Sequence, residues 1–247
     1  MHLLLTRPEG RNETLRQALA ERGVASSICP MVAIEALTPP PAPFSGAVGA
    51  FFVSRTAVAL ADKALGGRWP ELPCFAVGVG TAEALANCGV EALYPAEDQQ
   101  TSEGVLALSQ LKALREGPFV IVRGEGGRET LAESLSQRGF QIRPWILYRR
   151  VPPKLDGATL VQGWHRDGVD AILATSGEIL ENLFSLLPLA QHAWLRQCHW
   201  LVPVERVAQL ARQRGCQHVT VLGGAGDDAI LGCIGKLTHY GEHPQGS

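Results

Sequence analysis

A long internal repeat constrains this chain of 247 residues more than any other feature. Aligning Arg7 with Arg123 superimposes TRPEGRNETLRQALAERG, which ends at Gly23, on VRGEGGRETLAESLSQRG, which ends at Gly139, and half of this window is identical. Downstream, FFVSRTAVAL matches LATSGEILEN, and FAVGVGTAEALA matches WLVPVERVAQLA. Repeats of about 20–50 residues form solenoids, whereas a period of 116 residues has the size of a small domain. The sequence therefore predicts a pseudo-twofold pair of folding units with a cleft between them.

Composition and charge narrow the class of protein. A formal net charge of −2 provides no basic surface for nucleic acid or an acidic membrane. No segment reaches the roughly 18 uninterrupted apolar residues that span a bilayer, and the apolar start meets Arg7 and Pro8 too soon for a secretion signal. The six cysteines form no CxxC pair, which predicts free buried thiols without disulfides or a metal. We expect a cytoplasmic monomer that has no cofactor and binds neither nucleic acid nor membrane.

Short apolar runs alternate with stretches of helical spacing along the whole chain. In the first helix Leu15, Leu19 and Arg22 share one face, and the second copy repeats that face after the 116-residue shift. Strands that are apolar on both sides, separated by helices of about 12 residues, indicate parallel sheets covered on both faces. The predicted fold class is α/β, with two doubly wound parallel-sheet lobes of the flavodoxin-like or Rossmann-like kind. The predicted strands are Leu3–Thr6, Gly49–Val53, Cys74–Val77, Phe119–Val122, Val169–Ala174, Trp200–Val202 and Val219–Leu222.

Two proline-rich breaks are duplicated along with the rest of the repeat. They follow the extended segments Met31–Leu37 and Trp145–Arg150, which correspond under the same shift. If the chain crosses between lobes at both connectors, the first strand–helix–strand unit of each repeat packs with the rest of the other repeat, and the connectors pair as a ribbon. The alternative is a single boundary near Gly117 with each repeat a self-contained lobe. The residues alone leave both arrangements open, and they predict a loose tail over 240–247.

In doubly wound sheets, ligands bind beyond the carboxyl ends of the strands, where the following helices begin. Those positions here are rich in Ser, Thr and Gly, which cap helices and let backbone amides approach a ligand, and in Arg, which offers a planar fork of donors. Several helix N-termini could together hold a polyanion without a basic surface, since each contributes about 0.3–1 kcal/mol toward an adjacent negative charge. The positions are Thr6-Arg7, Val53–Arg55, Gly78–Thr81, Arg123–Gly127, Thr175–Gly177 and Val204–Arg206.

Other chemistries have weaker support. Ser54 and Ser176 could be ordinary helix caps, and neither lies in a G-x-S-x-G nucleophile elbow. Gly78-x-Gly80 has Glu83 where a dinucleotide fingerprint has its third glycine, and Gly124–Gly127 lacks the Gly-Lys-Ser/Thr ending of a P-loop. The histidines follow no metal-ligand spacing.

Tyr148 lies on the second connector, which would face the cleft. A phenol there can donate a proton or a hydrogen bond while staying neutral near pH 7. The alternative role for Tyr148 is an aromatic residue that packs the hinge.

An ordered set of motifs runs along almost the whole chain. The motifs are TRPEG (6–10), SRTAV (54–58), AVGVGTAEAL (76–85), TSEGVL (101–106), RGEGGRETL (123–131), YRR (148–150) and VPVERVAQLA (202–211). Each motif is loose alone, but their order and spacing are specific. Together they resemble the uroporphyrinogen-III synthase family from Leu3 to about Leu237.

This resemblance implies the crossing arrangement. The expected domains are a discontinuous α/β domain of 1–36 plus 152–239, an α/β domain of 42–144, and a two-stranded linker of 37–41 and 145–151. The resemblance also implies a reaction: hydroxymethylbilane closes to uroporphyrinogen III with inversion of the last pyrrole ring and loss of water, through an azafulvenium cation and a spiro intermediate. The substrate is a small molecule that carries acetate and propionate arms on every ring.

The resemblance implies roles for individual residues as well. Tyr148 matches the family's connector tyrosine and is the candidate for helping the hydroxyl depart. The expected substrate-binding residues are Arg7, Ser54, Gly78, Gly80, Thr81, Arg123, Gly124, Ser176, Val204, Glu205 and Arg206. The second-copy counterpart of Gly80-Thr81 is taken to be Glu205-Arg206, where binding would use backbone amides and Arg206. A two-lobed binding protein for a small polyanion and a nucleotide-dependent enzyme are the competing hypotheses.

Overall fold

The structure is a computed structural model that describes residues 1–96, 99, 101–126 and 130–239. The strands in chain order are β1 His2–Leu5, β2 Ala25–Ile28, β3 Ala33–Ala36, β4 Gly49–Phe52, β5 Cys74–Ala76, β6 Ala92–Leu93, β7 Pro118–Gly124, β8 Gln141–Val151, β9 Ala171–Leu173, β10 His199–Val202 and β11 His218–Val221. The helices are α1 Glu13–Ala20, α2 Arg55–Leu65, α3 Val79–Asn87, α4 Ser102–Ala107, α5 Ser109–Lys112, α6 Thr130–Gln137, α7 Gly157–Arg166, α8 Gly177–Leu186, α9 His192–Gln197, α10 Glu205–Gln213 and α11 Asp227–His239.

The chain divides into two compact units. Unit 1 comprises Met1–Ala33 and Val151–Ser247, and unit 2 comprises Ile34–Arg150. Unit 1 contains a five-stranded sheet of order β11-β10-β9-β1-β2, and unit 2 contains a six-stranded sheet of order β3-β8-β7-β4-β5-β6. The four pairings that join β2, β1, β9, β10 and β11 are parallel, and so are the four that join β8, β7, β4, β5 and β6.

The strand order shows where the repeat lies in the fold. In unit 1, β1-α1-β2 from the first repeat pairs with β9 from the second. In unit 2, β7-α6-β8 from the second repeat pairs with β4 from the first. The order β11-β10-β9-β1-β2 therefore corresponds to β6-β5-β4-β7-β8, strand for strand. The first strand–helix–strand unit of each repeat packs with the remainder of the other repeat.

Each sheet buries side chains on both of its faces. Leu3 and Leu5 lie in one core of unit 1 with Leu15 of α1, while Leu4 lies in a second core on the opposite face. Phe51 and Phe52 separate in the same way between the two cores of unit 2. Because successive side chains of a strand point to opposite faces, a continuous apolar run requires a sheet that is covered on both sides. The predicted doubly wound α/β class is confirmed.

The predicted strands are observed with ends that differ by at most two residues, and the structure adds β2 and β6. The sequence signal for β2, Ala25-Ser-Ser-Ile28, is weak because this edge strand is only partly buried and half polar. The glycines after α1 and α6 do supply left-handed turns, with φ of 70° at Gly23 and 87° at Gly139. The predicted tail 240–247 and the end of the Gly124–Gly127 loop lie outside the described residues.

The two extended segments that precede the proline-rich breaks are neighbouring strands. β3 lies within Met31–Leu37 and is the neighbour of β8, which contains Trp145–Arg150, at the edge of the six-stranded sheet. The backbone N–H of Leu37 donates to the carbonyl of Leu147 at 2.9 Å. The paired connectors are therefore continuous with the sheet of unit 2, and β8 reaches from Gln141 across the whole second connector.

Candidate active site

Two serines begin equivalent helices in the two units. Ser54 follows β4 and caps α2, where its Oγ accepts a hydrogen bond from the backbone N–H of Ala57 at 3.1 Å. Ser176 follows β9 and caps α8, where its Oγ accepts from the N–H of Ile179 at 3.3 Å. Both residues are extended, which is the conformation expected for an N-cap. The repeat places one hydroxyl at the carboxyl end of the corresponding strand in each sheet.

The next helix in each unit begins without a side-chain cap. Gly78 is the N-cap of α3 and Val204 is the N-cap of α10, and neither offers a hydrogen bond to the helix. The N–H groups of Thr81 and Val207 donate to the carbonyls of Gly78 and Val204 at 3.1 and 3.0 Å, so the two earlier amides of each first turn are the ones that can be donors to a ligand. The side chain of Thr81, in contrast, is buried, with 7% of the residue exposed.

The helix starts correct the pairing of the two repeats in this region. The sequence pairs Gly80-Thr81 with Glu205-Arg206, but the equivalent N-caps Gly78 and Val204 match Gly80 with Arg206 and Thr81 with Val207. The sequence comparison was wrong by one residue because this segment has few identities to fix its register. Val207 is buried like Thr81, so the second repeat replaces a buried hydroxyl with a methyl group.

Tyr148 is brought to Ser54 across the sheet of unit 2. Tyr148 lies on β8, Ser54 follows β4, and β7 runs between these two strands. The Tyr148 hydroxyl lies 3.1 Å from the Oγ of Ser54, within hydrogen-bond distance. The Tyr148 ring lies against Gly124 at the end of β7, where a Cβ would come within 2.5 Å of Cε2. Tyr148 is 8% exposed, so its ring is buried at the edge of the hydrophobic core, and its hydroxyl is directed to the start of α2.

The Ser54 hydroxyl limits how the pair can share protons. One lone pair of Oγ accepts the Ala57 N–H, which leaves Ser54 one hydrogen and one further lone pair for Tyr148. Either oxygen can be the donor. When Ser54 donates, the Tyr148 hydrogen is directed elsewhere and is available to another group.

The two predicted arginines have different surroundings. The side chain of Arg7 is buried, and its guanidinium donates to Asp227 at 2.5 Å, to the carbonyl of Ala225 at 2.7 Å and to the carbonyl of Arg11 at 3.3 Å. It therefore holds the loop before α11 against the start of the first repeat. Arg123 is partly buried on β7, in register with Ile146 of β8.

Glu205 and Arg206 occupy the exposed first turn of α10. The Glu205 carboxylate pairs with Arg212 of the same helix at 2.6 Å, and both side chains are about half exposed. The side chain of Arg206 is exposed, and the N-cap Val204 is 45% exposed. This helix start thus combines the amides of Glu205 and Arg206 with an exposed guanidinium.

Arg55 is a further cation, which the sequence placed among the helix-start positions but not among the expected substrate-binding residues. It is the exposed first residue of α2, and its guanidinium lies over Gly80 in the first turn of α3, where a Cβ would come within 2.6 Å of the Arg55 nitrogen Nη2. The signal available in the sequence was its position after the Ser54 cap. A planar fork of donors therefore covers the uncapped helix start of unit 2.

Cysteines and metal ligands do not contribute further candidates. Within the described part of the chain, no group of three His, Cys, Asp or Glu side chains could hold a metal ion. Burial raises the pKa of Cys29, Cys74 and Cys216 to about 11 and that of Cys198 to about 12, which disfavours the reactive thiolate. None of the helices in the described residues is long and apolar enough to cross a bilayer.

The fold and the helix starts define a protein of two doubly wound α/β units that exchange one strand–helix–strand segment. Comparison with known proteins is consistent with this class. A family model described as uroporphyrinogen-III synthase HemD matches residues 13–231. The uroporphyrinogen-III synthases of Salmonella typhimurium and Escherichia coli are each 36% identical over 244 residues, covering 94% of this chain and 98% of the relative.

Solved structures support the fold. A mutant uroporphyrinogen III synthase from the extreme thermophile Thermus thermophilus matches with a TM-score of 0.53 and 21% identity, covering 97% of this chain and 99% of that one. The uroporphyrinogen-III synthetase of Helicobacter pylori matches with a TM-score of 0.63 and 11% identity, covering 96% and 98%. The chain belongs to the uroporphyrinogen-III synthase family.

Proposed function

We propose that Tyr148 and Ser54 assist the loss of hydroxide in the reaction of this family. As a member, the chain is a cyclising lyase of porphyrin and haem biosynthesis that closes hydroxymethylbilane to uroporphyrinogen III. The observation that carries the proposal is the 3.1 Å approach of the Tyr148 hydroxyl to Ser54 at the carboxyl end of the sheet.

In the proposed first step, the hydroxyl on the first ring of the bilane leaves as water. Tyr148 gives its proton to that oxygen, the carbon–oxygen bond breaks, and the electron pair departs with the water, so that the ring becomes an azafulvenium cation. The Ser54 hydroxyl donates a hydrogen bond to the tyrosinate oxygen that forms, while the Ser54 Oγ continues to accept a hydrogen bond from the N–H of Ala57. The positive end of α2 adds a favourable field for this negative charge, worth about 0.3–1 kcal/mol.

The later steps need positioning more than acid–base chemistry. The substituted α-carbon of the last ring attacks the cation to give a spiro intermediate, which fragments and closes again with that ring inverted. Re-closure occurs at the free α-carbon of that ring, whose proton is lost and restores the neutral phenol of Tyr148. The unaided bilane closes without inversion, so the protein must present the crowded carbon to the cation. Holding reactants in the correct geometry can lower a barrier by several kcal/mol, up to about 7–11 kcal/mol in the best intramolecular cases.

The acetate and propionate groups of the bilane are the groups through which the protein can position it. The uncapped first turns of α3 and α10 offer amide donors, and Arg55 and Arg206 offer exposed guanidinium groups beside them. Carboxylates accept bidentate hydrogen bonds from Arg and are favoured at helix N-termini. The proposed substrate-binding groups are Ser54, Gly78, Gly80, Thr81, Arg123, Gly124, Ser176, Val204, Glu205 and Arg206, with Arg55 added from the structure. Arg7 is assigned a supporting role, since Asp227 already neutralises it.

An isomer assay tests the function directly. The purified chain is coupled to an enzyme that generates hydroxymethylbilane, and the oxidised products are separated into isomers I and III. We expect isomer III to dominate and isomer I to appear in the no-enzyme control. If the chain binds the bilane but isomer I is the only product, the result would favour the alternative hypothesis of a binding protein without catalysis. Tyr148→Phe in the same assay separates the proposed acid role from the overall activity.

The proposal extends to a cytoplasmic monomer that requires no cofactor, an expectation that comes from the composition of the chain. Sedimentation of the purified protein tests the monomer. Activity after exhaustive dialysis against a chelator tests the absence of a metal requirement.

A further inference from the structure

We infer that Gly124 is a positioning residue whose missing side chain lets Tyr148 reach Ser54. This inference rests on the proposed role of Tyr148. It concerns why the phenol lies where it does, and it assigns Gly124 an action through Tyr148 in addition to any contact with substrate.

The first observation is steric. The three atoms nearest to a Cβ placed at Gly124 all belong to the Tyr148 ring: Cε2 at 2.5 Å, Cδ2 at 2.8 Å and Cζ at 2.8 Å. Gly124 is not among the glycines with positive φ, so its backbone would accept an L side chain. The reason for glycine at this position is therefore the space that the ring occupies.

The second observation is an irregularity in strand register. β7 and β8 pair regularly up to Arg123 with Ile146, and the next pair is Gly124 with Tyr148, so that Leu147 is skipped. Side chains alternate between faces along a regular strand, and an extra residue re-aims the one that follows it. Leu147 and Tyr148 accordingly share one core, on the face that includes Ala57 of α2.

The third observation fixes the backbone around the ring. The N–H of Glu125 donates to the carbonyl of Tyr148 at 2.7 Å, just beyond the register shift. The register shift directs Tyr148 to the face of the sheet on which α2 packs. The Glu125 hydrogen bond holds the Tyr148 backbone to the end of β7. Because Gly124 has no Cβ, the Tyr148 ring can then lie across β7 and reach Ser54. Each of the three is needed for the 3.1 Å contact, and Gly124 is the one that a single methyl group can remove.

The test is a double-mutant cycle with Gly124→Ala and Tyr148→Ala, read as kcat and KM for isomer III formation. In the natural background, Gly124→Ala should lower kcat by about 10²- to 10⁴-fold, the range of a lost general acid, while KM changes less than about threefold. In the Tyr148→Ala background the same methyl group meets no ring, so the fold loss in kcat should be at least about tenfold smaller than in the natural background. An equal loss in both backgrounds, or normal kcat in Gly124→Ala, would overturn the inference.

Gly49→Ala provides a matched control in the same sheet. A Cβ there would come within 2.7 Å of Cε2 of Phe119, a comparable clash with an aromatic ring away from Tyr148. Gly49→Ala should lower the melting temperature but keep kcat within about threefold of normal. A loss of kcat in this control as large as in Gly124→Ala would assign the effect to general overpacking and overturn the inference.

A spectroscopic measurement distinguishes failure of the inference from failure of the proposed function. The NMR spectrum of the chain with ring-labelled tyrosine contains signals from Tyr94, Tyr148 and Tyr240. The signal that disappears in Tyr148→Phe belongs to Tyr148. Gly124→Ala should move the Tyr148 ring signal and leave that of Tyr94 in place, and an unmoved signal would refute the placement by Gly124. Near-normal turnover in Tyr148→Phe would refute the acid role, while the ring signal would still report whether Gly124 positions the phenol.

Discussion

The Tyr148 hydroxyl lies 3.1 Å from the Oγ of Ser54, although the two residues are 94 positions apart in the chain and belong to strands that are not neighbours in the sheet. The pair joins a phenol to a helix cap. Two hydroxyl groups that can donate to one another are thereby held together at the carboxyl end of one sheet.

Tyr148→Phe should lower kcat for isomer III by about 10²- to 10⁴-fold, because the ring remains but the proton donor is lost. The free energy of unfolding should fall by only about 0.5–1.5 kcal/mol, the usual worth of one hydrogen bond. Stopped-time isomer assays and urea unfolding measure the two effects. Turnover close to that of the natural chain would refute the acid role of Tyr148.

Ser54→Ala should act on both stability and catalysis. Loss of the N-cap should cost about 0.5–2 kcal/mol of unfolding free energy. Loss of the donor to a developing tyrosinate should lower kcat by about 10- to 100-fold, corresponding to the roughly 1.5–3 kcal/mol of a hydrogen bond to a charged group. Both quantities come from urea unfolding and from the isomer assay.

The control for Ser54→Ala is Asp156→Ala. Asp156 caps α7 by accepting from the N–H of Ala158 at 3.1 Å, and no tyrosine in the described part of the chain is hydrogen-bonded to it. This variant should lose comparable stability with kcat unchanged. If it loses as much kcat as Ser54→Ala, the catalytic effect belongs to helix capping in general.

Asp227→Ala should destabilise unit 1 by about 1–3 kcal/mol, because it leaves the buried Arg7 guanidinium with carbonyl acceptors alone. Glu35→Ala breaks the pair between Arg149 and Glu35, whose side chains are 46% and 42% exposed, and should lower stability much less because solvent screens an exposed pair. Urea unfolding of both variants provides the comparison. Equal losses would show that the burial of Arg7 does not govern the energy of its pair.

His199 should make stability depend on pH. Burial, and secondarily the neighbouring His218, lower the pKa of His199 below the usual 6.5, while Asp170 opposes the shift. The unfolded chain therefore binds a proton more readily than the folded chain, so this contribution is fully present above about pH 6.5 and is lost as the pH falls through the folded pKa. His199→Gln should flatten the decline of the urea midpoint between about pH 7.5 and pH 5. An unchanged decline in the variant would assign it to other groups.

Much of the fold follows from local pattern. The apolar run Leu3–Leu5 excludes a sheet with one solvent-exposed face, because successive side chains point to opposite faces. The structure buries these side chains on both sides of the five-stranded sheet. The Ser54 and Ser176 caps were also readable, since a serine between an apolar run and a helical stretch is a local signal. Burial periodicity and capping depend on residues a few positions apart, and the sequence displays those residues together.

The sequence by itself determined the repeat, the doubly wound class and the starts of α2 and α8, because each depends on neighbours along the chain. The expected helix starts at Thr6-Arg7 and Arg123–Gly127 were wrong, since α1 begins at Glu13 and α6 at Thr130. Only the tertiary structure decided that Arg7 pairs with Asp227, that Gly78 corresponds to Val204, and that Tyr148 crosses β7 to Ser54. The last of these depends on a one-residue register shift and on a missing Cβ at Gly124, neither of which has a period or a local signature. Strand pairing between distant segments sets such contacts, and no window of sequence contains both partners.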